Sequence, residues 1–148
     1  MTNPAIAARQ RWMALLAKAP PARLASLMAD LPPHECLRPP EVGAVMVRGC
    51  IGGTGAAFNL GEMTVTRCAV RLTKEAVVGH SMVQGRDKSH ALRAALADAL
   101  MQTGDAPRLE TEVLAVLAAE AGTAQATRAQ KAAATRVDFF TMVRGEDQ

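Results

Sequence analysis

The chain has 148 residues, of which 49% are hydrophobic and 21% charged, and a net charge of +3. That is enough to bury a core without staples, and too apolar for a disordered polypeptide. The positive charges are spread along the chain, with no Tyr, one Trp and three Phe, so the basic stripe and stacking platforms of a nucleic-acid binder are missing.

At the N-terminus, Asn3 and Pro4 suit the cap and first position of a helix over residues 4–18. Ala8, Trp12, Leu15, Leu16 and Ala19 follow helical spacing as a buried stripe, with Arg9, Arg11 and Lys18 off it. These arginines interrupt any continuous apolar stretch, so the segment does not read as a signal peptide. No apolar run approaches the roughly 20 residues that cross a bilayer. A cytoplasmic protein with no membrane association is expected. Pro20 and Pro21 end the helix, and "PARLASLMADL" starts a shorter one. The stretch "PPHECLRPPEVG" is expected to be a loop, because proline donates nothing to a ladder.

The middle third reads as strands: "GAVMVRGCI" (43–51), a short "FNL", "MTVTRCAVRL" (63–72) and "AVVGHSMVQG" (76–85). In the third of these, Thr64, Thr66, Cys68, Val70 and Leu72 share one face, while Met63, Val65, Arg67, Ala69 and Arg71 share the other. Short connections imply an antiparallel meander of three to four strands. "GGTG" (52–55) has no Lys-Ser or Lys-Thr behind it and opens no helix, so a turn suits it better than a phosphate loop. His80 is expected to be a packed, hydrogen-bonded strand residue. Cys36, Cys50 and Cys68 form no Cys-x-x-Cys pair, and His34 with Cys36 gives two scattered donors, so neither disulfide framework nor metal site is expected.

The last third reads as helix. In "GRDKSHALRAALADALMQ" (85–102), Asp87 is suited to cap a helix whose Leu92, Leu96, Ala99 and Leu100 face inward. Lys88 and His90 then fall in the first turn, where the helix dipole disfavours cations by a few tenths of a kcal/mol. Arg86, Lys88 and His90 therefore suit an anion converging on that end, or else a solvated charged cap. "RLETEVLAVLAAEAG" gives another helix, and "TAQATRAQKAAATR" (123–136) one with almost nothing to bury. "VDFFTMVRG" follows: Phe139, Phe140, Met142, Val143 and Arg144 have an interface composition, and they dock either on their own sheet or on a neighbouring chain. The architecture expected is α+β, with the small antiparallel sheet flanked by N-terminal and C-terminal helices. Residues 1–148 are expected to form one domain, its segment 123–148 docking on a partner.

No catalytic set is apparent, neither a Gly-x-Ser-x-Gly nor a His-Glu-x-x-His nor a cysteine triad for an iron–sulfur cluster. Four segments, "RQRWMALLAKA", "IGGTGAAFNLGEMTVTRCAVRL", "GHSMVQGRDKSHALRAALADALMQ" and "TRVDFFTMVRG", are similar to the signature segments of the PhnG family of phosphonate carbon–phosphorus lyase core-complex proteins, in that family's order. The resemblance implies a small subunit of a core complex with H, I and J subunits. That complex uses MgATP and an alkylphosphonate, displaces adenine, and yields α-D-ribose 1-methylphosphonate 5-triphosphate. No catalytic residue and no cofactor held by this chain are expected. The resemblance does not itself make Arg86, Lys88 and His90 a substrate site, but a polyanionic ATP or phosphonate ligand would suit their cationic hydrogen bonding. The alternative is a purely structural assembly subunit that touches no ligand.

Overall fold

The structure, a computed structural model, describes residues 3–136. Helix α1 spans Pro4–Lys18, with the Asn3 side chain accepting the Ala5 N–H. Proline both starts the next helix, α2 (Pro21–Leu27), and ends α1, because Pro20 and Pro21 have no N–H to offer the last turn. Three strands follow, β1 (His34–Cys50), β2 (Ala57–Leu72) and β3 (Val78–Gln84), antiparallel in the order β1–β2–β3. Helix α3 (Lys88–Leu100) crosses one face of this sheet. Helix α4 (Ala106–Leu109), a π-helical turn (Glu110–Leu114) and helix α5 (Ala115–Ala134) then form the C-terminal helical path. The fold is α+β with a three-stranded open sheet.

Strand β1 begins nine residues earlier than its valines indicate, and the expected loop around Pro39 and Pro40 is part of it. Two features accommodate the prolines. β1 is an edge strand, so a missing N–H need not break a ladder, and register shifts between Cys36 and Arg38 and between Arg38 and Glu41 take up the misfit. The short "FNL" strand is the beginning of β2, which runs unbroken to Leu72. Between β1 and β2 the glycines do make a turn: Gly52 and Gly53 sit at positive φ, and the Gly55 N–H donates to the Ile51 carbonyl.

The alternation along β2 sets the layering. Thr66, Cys68, Val70 and Leu72 are buried, while Arg67 and Arg71 on the opposite face pair with Glu41 and Glu35 across β1. The buried face meets α3, whose Ala91, Ala94, Ala95, Ala97 and Ala99 are all almost fully enclosed. Small side chains let helix and sheet approach closely. At Gly79 of β3 an added Cβ would lie 2.0 Å from the Ala95 carbonyl oxygen, so only glycine fits. Leu16, Leu24, Leu109, Val113 and Leu117 complete the core from the flanking helices. Beyond Leu117, α5 is exposed along its length, as its alanine-rich composition implies. No helix among the described residues is long and apolar enough to cross a membrane.

Candidate functional site

The junction between β3 and α3 follows from its residues. Gly85 takes φ +94°, a region that favours glycine, and turns the chain out of β3. Its carbonyl accepts the hydroxyl of buried Thr66. Asp87 is the cap of α3, its carboxylate accepting the His90 N–H at 2.8 Å. Arg86 and Lys88 on either side are exposed and enter no ion pair with the described residues.

His90 does not join them at the surface. It is 5% exposed, and its Nε2 lies 2.8 Å from the Leu16 carbonyl oxygen. A carbonyl only accepts, so Nε2 carries the proton there. Leu16 needs this donor: the amide that would bond it in a continuing helix belongs to Pro20, which has none, and only a long 3.4 Å bond from the Ala19 N–H remains. The imidazole thus caps the C-terminal end of α1 and is turned away from any anion at Arg86 and Lys88.

Two turns further along α3, Asp98 is fully buried. Its carboxylate accepts from Arg9 Nε at 3.1 Å and Nη2 at 2.7 Å, from Trp12 Nε1 at 2.9 Å and from the His80 backbone N–H at 2.9 Å. Four donors, two from one planar guanidinium, satisfy a charge that would otherwise be costly to bury. Gln102 extends the arrangement by donating to the Val78 and Asp98 carbonyls. Side chains of α3 and the residues just after it therefore cap the backbone of edge strand β3, which no further strand covers among the described residues.

Sequence reasoning missed this network. Arg9, placed off the buried stripe of α1, is bound to Asp98, and it is the backbone of His80, not its exposed ring, that is tied down. One signal was available, since His90 and Asp98 stand eight residues apart with Ala94 between them, on one helical stripe of an otherwise apolar face. Burial pushes the Cys68 thiol up to about 11, with a smaller contribution from nearby Cys36. Among the described residues no group of three or more His, Cys, Asp or Glu is placed to hold a metal ion. Phe139, Phe140, Met142, Val143 and Arg144, the expected interface residues, lie outside the described residues.

Asp98 thus ties α1 and α3 to β3 and His90 ties α3 to α1, while Arg86 and Lys88 stand exposed at the start of α3. The chain belongs to the family of phosphonate metabolism proteins PhnG, whose sequence model matches residues 7–145. It is 47% identical, over 96% of its own length and 92% of the other protein's, to the α-D-ribose 1-methylphosphonate 5-triphosphate synthase subunit PhnG of Rhizobium meliloti (strain 1021).

Proposed function

We propose that this chain is a subunit of an α-D-ribose 1-methylphosphonate 5-triphosphate synthase, acting in the cytoplasm with H, I and J subunits of a carbon–phosphorus lyase core complex. The complex uses MgATP and methylphosphonate as substrates and displaces adenine; this chain supplies no catalytic residue and holds no cofactor. The observation that carries the reading is the near end-to-end similarity to the Rhizobium subunit, at 47% identity. The geometry supports it, because the buried polar groups Asp98 and His90 are spent on joining α1, α3 and β3.

Within that assembly, Arg86 and Lys88 contact phosphate or phosphonate oxygens. Both are exposed beside the N-terminal N–H groups of α3, where an anion is favoured by charge and by the helix dipole. His90 supports them from within, through its backbone bond to Asp87 and its side-chain bond to Leu16. Segment 123–148 docks on a partner: its described part is an exposed alanine-rich helix, and its sequence ends in the Phe139–Arg144 stretch. Co-expression of the tagged chain with the other subunits tests the reading. Stable co-purification is expected, and a chain that emerges alone from such a preparation refutes it.

A further inference from the structure

Strand β3 pairs with β2 only from Val65 to Arg71, whereas β1 pairs with β2 as far as Cys50 and Ala57. Among the described residues, the distal halves of β1 and β2 therefore leave the sheet as a two-stranded ribbon with no third strand. Such ribbons are marginal in water on their own. This one carries Met46 at 52%, Ile51 at 63%, Phe58 at 40% and Leu60 at 65% exposure. From Val42 to Met63 the charged residues are Arg48 and Glu62, one of each sign. Among the described residues, nothing outside β2 hydrogen-bonds the backbone of β1 along this ribbon, in contrast to the capped edge of β3.

We infer that this ribbon is a docking arm that inserts into an uncharged, apolar cleft on another subunit of the synthase; the inference rests on the subunit reading above. The scarcity of charge selects the occupant. An arm with two charges in this span cannot compensate a charged surface, and the two wide grooves of this chain, about 660 and 560 Å3, are rimmed by Lys18, Glu120 and Arg128 and by Arg38, Arg67 and His80. Seating the ribbon of a second copy there would take those charges, with the Arg23–Glu120 and Arg67–Glu41 pairs among them, out of water, and the ribbon has too few charges to compensate them. An apolar cleft that leaves the exposed Arg48 and Glu62 at its rim carries no such cost, and the free edge of β1 offers backbone groups to whatever strand or loop lines it.

Cys50, exposed near the end of the ribbon, is a built-in reporter, with exposed Cys36 at the base of β1 as the internal control. Alkylation of the unmodified chain, followed by mass spectrometry, is compared between the free protein and the co-purified complex. Cys50 is expected to react at least about tenfold more slowly in the complex, the attenuation that burial in a stable interface gives. The double variant Met46→Asp, Leu60→Asp changes exposed positions only. It is expected to keep the circular dichroism of the free chain while its recovery with the other subunits falls about tenfold or more. A complex that forms with Cys50 as reactive as in the free chain overturns the arm and leaves the subunit reading standing. Failure of any complex to form overturns both. Protection of Cys50 in the free chain that rises with concentration assigns the ribbon to a second copy, and also overturns the proposal.

Discussion

His90 of α3 gives its Nε2–H to the carbonyl oxygen of Leu16, which Pro20 deprives of its regular helical donor and which keeps only a long bond from the Ala19 N–H. A residue that sequence alone places in a charged surface cluster is thus the C-terminal cap of a helix 74 positions earlier. Replacing it with Ala leaves a buried acceptor and a void, and is expected to cost about 1–3 kcal/mol of stability. Urea denaturation of the free chain measures this. An unchanged midpoint would remove the capping role.

Asp98 joins the same two helices at the other end of their contact. Asn in its place keeps the shape but supplies one acceptor oxygen and two donors, so at least one of the N–H groups from Arg9, Trp12 and His80 loses its acceptor. Asp98→Asn is expected to lose about 2–4 kcal/mol, with Arg9, which is partly exposed, recovering some hydration. Arg9→Lys is expected to lose less, since a point charge keeps the attraction and gives up the paired geometry. Equal stability of all three proteins would contradict the network.

These two clamps mark where the sequence stops being informative. Local rules suffice for α1, whose cap, start and stop are Asn3, Pro4 and Pro20, and for β2, whose alternation from Thr66 to Leu72 gives the buried face directly. They fail for β1, because Pro39 and Pro40 forbid a regular ladder, and only the edge position and two register shifts make the strand admissible. They fail again for Arg9 and Asp98, whose meeting is long-range, and for His90, because capping residues and anion ligands look alike in a first helical turn. Asp87 was legible as a cap because capping is itself local.

Cys68 makes stability depend on pH in the alkaline range. Its thiol is raised from 9.0 in the ordinary state to about 11 in the fold, chiefly by burial. Between those values the unfolded chain releases a proton that the folded chain keeps, so stability is full below pH 9 and falls as pH rises toward 11. Cys68→Ala is expected to flatten that part of the profile. With intact protein near pH 8, Cys36 and Cys50 are expected to alkylate readily and Cys68 slowly. Loss of protein stability at the same rate in Cys68→Ala would assign the slope to other groups.

Arg86 and Lys88 separate ligand contact from assembly. Both are exposed and form no ion pair with a described residue, so Arg86→Ala and Lys88→Ala are expected to change the free chain's stability by less than about 0.5 kcal/mol. If they hold substrate oxygens, the complex assembles normally and each change weakens its use of nucleotide by about 1.5–3 kcal/mol, roughly a factor of ten to a hundred. Weaker, more salt-sensitive assembly would instead assign both residues to a partner surface. Full activity in an assembled double variant would leave Asp87 as a helix cap with solvated neighbours.

The central claim is that this chain acts only as part of a synthase, and adenine release from MgATP and methylphosphonate tests it most directly. The purified chain alone, the remaining subunits alone and the reconstituted complex are assayed side by side by chromatography of the nucleobase. Release is expected from the complete complex, with α-D-ribose 1-methylphosphonate 5-triphosphate as the second product, and none from this chain alone. Adenine produced by the isolated chain, or product formation that is the same with and without it, would contradict the account.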